Sequence, residues 1–147
     1  MASAAGLLVG GFLLGATGCG ALTPAYRDSA GVVTATATVS SSALQVGDCI
    51  YSVSDFGSTV DKVQVVPCAS AHEGEVYATE SGVSNDTAAL EKFCTDGFQS
   101  YVGVDFNSTA LSVTYIHSEA TATKTDVQCI VYLSGQMVTA SYKDSKQ

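Results

Sequence analysis

The stretch VVPCASAHEGEVYA, residues 65–78, gathers a thiol, an imidazole and two carboxylates: Cys68, His72, Glu73 and Glu75. Such donors serve zinc ligation, a cysteine–histidine nucleophile pair, or acid–base catalysis. Zinc takes three or four converging ligands. The sequence holds two histidines, His72 and His117, and has neither an H-E-x-x-H nor a C-x-x-C spacing. A Cys68–His72 pair requires a free thiol, and the cysteine count assigns Cys68 to a disulfide. Serines are plentiful, but none stands in a G-x-S-x-G turn, and no glycine-rich phosphate loop is present.

Two readings compete with a purely structural one. Glycoside hydrolysis needs two carboxylates about 5–10 Å apart across a cleft. Glu73, Glu75 and Asp48 supply the acids, so a cell-wall hydrolase is the alternative. A small-ligand carrier would need a pocket lined by tyrosines. The residue types favour the scaffold: no catalytic residue, no cofactor and no metal are expected. His72, Glu75 and Asp48 are expected to form a structural polar cluster. In it His72 hydrogen-bonds to a carboxylate or backbone group, pins the loop between two strands and matters more to stability than Glu75. The tyrosines Tyr51, Tyr77, Tyr101, Tyr115, Tyr132 and Tyr142 are expected to pack with their hydroxyls at the rim.

Elements able to position these residues are legible around them. LQVGDCIYSV (44–53) turns at Gly47-Asp48 into a short strand, VDKVQVVPC (60–68) is a second ended by Pro67, and EVYATE (75–80) is a third. SNDTAALEKFCTDGFQSYVG then reads as a helix. Leu90, Phe93, Cys94, Phe98, Tyr101 and Val102 make one apolar face, Asn85 or Asp86 caps the start, and Gly103 marks the stop. Strands are expected over 109–117 and 126–133, and a last one over MVTASYK (137–143) after a turn at Gly135-Gln136. The pattern predicts an α+β fold, a small antiparallel sheet with one amphipathic helix packed on it.

Five cysteines are present: Cys19, Cys49, Cys68, Cys94 and Cys129. Setting Cys19 aside leaves an even set of four, which allows three connectivities. Neighbouring strands favour Cys49–Cys68, and the place of Cys94 on the buried helix face favours Cys94–Cys129. Two such bonds belong to an oxidising compartment.

The front of the chain points the same way. Residues 2–18 carry no charge, and seventeen residues with four alanines and five glycines suit the apolar core of an export signal better than a membrane-spanning helix. Ala16-Thr17-Gly18-Cys19 resembles the lipobox of bacterial lipoproteins, in which the signal is cut before a cysteine that carries the lipid. Alanine stands where leucine is commoner. The expected organisation is a lipoprotein-type signal peptide (1–18), a lipid-anchored flexible tether rich in Ala, Thr and Ser (19–43), and a folded domain (44–147). Within the tether VVTATATV alternates and is able to pair as an edge strand. The membrane is thus a partner through the lipid on Cys19, on the outer face of the cell membrane, with a plainly secreted form as the alternative. Six Lys+Arg against fourteen Asp+Glu give a net charge of −8, which offers no footprint for nucleic acid.

LQVGDCI, VQVVPCASAHEGEVYAT, EKFCTDGFQSYVG and DVQCIVYLSGQMVTASYK follow one another in order. Together they resemble the septum-formation domain family of actinobacterial exported and membrane-anchored proteins, over about Leu44–Lys143. Val46, Gly47, Asp48, Cys49, Pro67, Cys68, His72, Glu75, Val76, Tyr77, Cys94, Tyr101, Gly103 and Cys129 match its pattern. The tryptophan common in that family before the last cysteine is missing from SEATATKTDVQC, and its closing Gly-Ser is Ala140-Ser141 here. The resemblance implies a link to septum formation through protein or cell-wall contacts and no defined catalytic activity.

Overall fold

A computed structural model describes residues 26–53, 56, 60–117 and 123–147, so the expected signal peptide and Cys19 lie outside the described residues. In chain order the elements are β1 (Ala37–Ser40), β2 (Cys49–Ile50), β3 (Lys62–Val66), β4 (Gly74–Ser84), α1 (Thr87–Val102), β5 (Ser112–His117) and β6 (Lys124–Tyr132). The strands form one six-stranded sheet in the order β1-β3-β2-β4-β6-β5, and every neighbouring pair is antiparallel. This is the α+β arrangement expected from the pattern.

Strand alternation divides the core between the two faces of the sheet. Tyr77, Val127, Cys129 and Val131 face α1, where they meet Leu90, Cys94, Phe98, Tyr101 and Val102. Val76 and Ile130 belong to the other face, with Ile50, Val63, Val65 and Ile116. The period-2 pattern therefore fills two apolar layers from the same strands. Strand β4 runs four residues past the expected Glu80. Two register shifts against β6, between Val76 and Ala78 and between Glu80 and Val83, let it curve while staying paired.

The helix has chemical stops at both ends. Asp86 is the N-cap, accepting a 2.9 Å hydrogen bond from the Ala89 N–H. At the other end Gly103 sits at φ 89°, a left-handed position where a side chain is strained, and its N–H reaches the Gln99 carbonyl. Both disulfides form as paired in the sequence reading, Cys49–Cys68 with Cα atoms 5.2 Å apart and Cys94–Cys129 with 5.4 Å. The second joins the buried face of α1 to the centre of β6.

Two expectations are corrected. The first is the extent of the tether. From Tyr26 onward the segment is folded against the domain: β1 pairs with β3, Val33 and Val39 are buried, and Arg27 is 7% exposed. The composition of small residues suited an edge strand, as VVTATATV had allowed, and Asp48 draws Arg27 inward. The second is the last strand over 137–143. There the contact with the sheet is one isolated antiparallel bridge between His72 and Val138. The segment leaves the ladder because the N–H of Tyr142 is taken by the side chain of Glu75 instead of a strand carbonyl.

Candidate functional site

Cys49 on β2 stands directly opposite Glu75 on β4, and directly opposed side chains in an antiparallel pair project from the same face. His72, at the end of the loop between β3 and β4, is brought to the same place by its bridge to Val138. Its backbone both donates to and accepts from Val138, at 3.0 and 2.8 Å. One ligand-type atom from each of Cys49, His72 and Glu75 thus falls within 4.8 Å of the others, and all three residues are buried. Cys68, bonded to Cys49, closes the cluster on its half-buried side.

The carboxylate of Glu75 is 1% exposed and serves as an acceptor hub. Oε1 accepts from the Tyr101 hydroxyl (2.5 Å) and the Ser141 hydroxyl (2.6 Å), and Oε2 accepts from the Tyr142 N–H (2.6 Å). These donors replace the water that a buried carboxylate loses. They also tie together the C-terminal end of α1, the start of β4 and the returning segment at 141–142. Burial, with the neighbouring Glu75 adding to it, pushes the Tyr101 hydroxyl above the ordinary tyrosine range, so it stays a donor.

His72 is fully buried, with Nδ1 2.8 Å from the carbonyl oxygen of Ser70. A carbonyl only accepts, so Nδ1 carries the proton, and in the neutral ring Nε2 is left with its lone pair. Nε2 is buried and has no hydrogen-bond partner among the described residues. The ring meets Tyr142 edge-on, with centroids 6.3 Å apart. The structure therefore gives His72 a backbone partner and places its second nitrogen in the cluster unsatisfied.

Asp48 does not join that cluster. Its carboxylate takes a two-pronged ion pair from Arg27, at 2.6 and 2.7 Å, and a third bond from the Gln45 N–H at 2.8 Å. The pair is almost wholly buried, and the hydrogen bonds that Arg27 donates to Asp48 raise its pKa further, which keeps it charged. Arg27 also donates to the Gly31 carbonyl and lies 5.1 Å from the centroid of the Tyr26 ring. Arg27 is the chain's sole arginine, and the sequence reading missed its role. A lone arginine in a tract otherwise poor in charge, with Asp28 beside it, was the available signal.

Glu73 is separate again. Its Oε2 accepts from the Ser52 hydroxyl (3.0 Å) and the Val53 N–H (2.7 Å), so it braces the chain leaving β2. It borders a surface depression of about 380 Å³ with Val53, Phe56 and Tyr132, and among the described residues no second carboxylate lines that depression. Another hollow of about 360 Å³ carries Glu80 and Asp126, both exposed. Neither hollow sets two buried carboxylates across a groove, which is what the hydrolase reading asked for. Tyr77, Tyr101 and Tyr142 correct the expectation of hydroxyls at the rim. All three are buried, Tyr77 donating to the Cys94 carbonyl at 2.6 Å and Tyr142 to the Glu73 carbonyl at 3.2 Å.

Compared with known proteins, an alignment over 108 residues that covers 67% of the chain is 32% identical to the Mycobacterium tuberculosis protein named "Putative lipoprotein LppN". The Mycobacterium bovis protein of the same name matches with the same identity and coverage. The match spans 61% of the length of these relatives. No protein-family model matches the chain, and no solved structure matches it. The septum-formation resemblance therefore rests on the quoted motifs.

Proposed function

We propose that the chain is a lipoprotein of the cell envelope, held on the outer face of the membrane by a lipid on Cys19, whose folded domain acts by contact and not by catalysis. The observation that carries this reading is an apolar run ending at Cys19 in a chain that is 32% identical, over 108 residues, to a protein named a lipoprotein. Two disulfides joined in the folded domain suit an oxidising compartment outside the cytoplasm. The polar residues of the quoted motifs hold the domain together, since Glu75 and Asp48 each accept three hydrogen bonds from donors within the domain. A connection with septum formation, through protein or cell-wall contacts, is the finer reading that the motifs favour.

Detergent phase partition with acyl-lipid labelling tests the anchor. Wild type should enter the detergent phase and take up label, while Cys19→Ser should stay unlabelled and aqueous or accumulate with its signal uncut. Mature protein that keeps Cys19 yet remains aqueous and unlabelled would sink the lipid anchor and leave plain secretion. For the finer reading, a fluorescent fusion should concentrate at division sites, and an even distribution over the envelope would count against it.

A further inference from the structure

We propose that Cys49, Cys68, His72 and Glu75 form a redox-gated site for a divalent metal of the zinc class, closed while Cys49–Cys68 is oxidised and opened by its reduction. The inference does not depend on the lipoprotein reading.

Three observations converge on it. Ligand-type atoms of Cys49, His72 and Glu75 already lie within 4.8 Å of one another, and the Cys68 sulfur is bonded to that of Cys49. His72 Nε2 is buried without a partner, with its tautomer set by the Ser70 carbonyl. That is how a metal-ligating histidine is usually prepared, the far nitrogen donating to a backbone carbonyl while the near one offers its lone pair. Glu75 has about four lone-pair positions, of which Tyr101, Ser141 and Tyr142 occupy three, and one on Oε2 remains open. The donors that hold its carboxylate in place are a ready second layer of support for a ligand.

In the oxidised chain the sulfurs bond to each other and carry no thiolate charge, so the set lacks the ligands that zinc prefers. Reduction supplies them. A dithiol reductant attacks the sulfur of Cys68, which is half-buried, whereas Cys49 is fully buried. The sulfur–sulfur bond breaks and Cys49 leaves as a thiolate. The second thiol of the reductant then closes its own disulfide and frees Cys68. Two electrons pass from the dithiol to the protein, and the metal takes two thiolates, their two protons going to solvent. Two sulfurs, one imidazole and one carboxylate fill a tetrahedral site with donor types that zinc accepts. Cys94–Cys129, buried at both ends, is shielded from the same attack.

The full chain, with Cys49–Cys68 reduced by dithiothreitol and the reagent removed without air, is titrated with Zn²⁺ and Co²⁺ beside the oxidised chain. Reduced wild type should bind one metal per chain at least a hundredfold more tightly than oxidised, with the thiolate-to-cobalt charge-transfer band and intense visible absorption of a tetrahedral site. His72→Ala should lose at least tenfold in affinity, and His72→Cys, which exchanges one ligand for another, should recover it; a purely structural histidine would not be rescued that way. Glu75→Gln, which keeps the shape of the carboxylate, serves if His72→Ala does not fold, and should also weaken binding. Equal binding by reduced and oxidised wild type, an octahedral cobalt spectrum, or unchanged affinity in the folded variants would overturn the proposal.

Discussion

Two buried groups a few ångströms apart, His72 and Glu75, carry very different loads. His72 makes one side-chain hydrogen bond, to the Ser70 carbonyl, and packs against Tyr142. Removing it as His72→Ala should lower unfolding free energy by about 1–3 kcal/mol, the usual cost of stranding a buried partner. His72→Gln should restore part of that. Glu75→Ala strands the Tyr101 and Ser141 hydroxyls and the Tyr142 N–H together, so it should cost about 3 kcal/mol or more. The sequence reading ranked the two the other way, because a strand pattern shows that Glu75 is buried and not how many donors reach it. Urea unfolding of the oxidised variants checks the order, and a smaller loss for Glu75→Ala than for His72→Ala would reverse it. A chelator should leave the melting temperature of oxidised wild type unchanged.

The elements meet at close tolerances, and one glycine shows it. A Cβ on Gly74, at the start of β4, would stand 2.6 Å from Val53 Cγ1 and 2.9 Å from Ile130 Cγ2. Gly74→Ala should therefore destabilise by about 1–3 kcal/mol through overpacking where β4 meets β2 and β6. The disulfides act on the same elements from the side of the unfolded chain. They span separations of 19 and 35 residues, so each should contribute roughly 3–4 kcal/mol. The longer loop is favoured by roughly 0.5 kcal/mol from chain entropy, and it also fixes α1 on the sheet. Replacing Cys94 and Cys129 by alanine should lower the urea midpoint more than the same change at Cys49 and Cys68. The reverse ranking would mean that the β2–β3 corner, not the helix, is the weak joint.

For the molecule as a whole, buried tyrosines set the alkaline limit. Burial raises the hydroxyls of Tyr77, Tyr101 and Tyr142 above the ordinary range, with Glu75 adding to the shift at Tyr101. A raised folded value means that the native state holds these protons where the unfolded chain has lost them. Their stabilisation is thus complete below about pH 10, the unfolded tyrosine value, and declines above it as pH climbs toward the folded values. Phenolate absorbance should rise in two steps, the later coinciding with loss of near-ultraviolet circular dichroism. Tyr77→Phe should shrink the later step and flatten the alkaline fall in stability. A single step, finished before any unfolding, would show the three hydroxyls to be open to solvent.

What the sequence determined by itself is what repeats or terminates locally. The period-3.6 face of α1, its cap at Asp86 and stop at Gly103, and the alternation in β4 and β6 lie within a few residues, so they were readable. The cysteine pairing also followed, because Cys94 on an apolar helix face limits where its sulfur points. Tertiary structure alone decided the polar site. Arg27 and Asp48 are 21 positions apart, and Glu75 meets Ser141 and Tyr142 across 66 and 67. No local pattern encodes such partners. A buried carboxylate must recruit donors from whatever the fold brings near, and that choice drew residues 26–43 into the domain and turned 137–143 away from the sheet ladder.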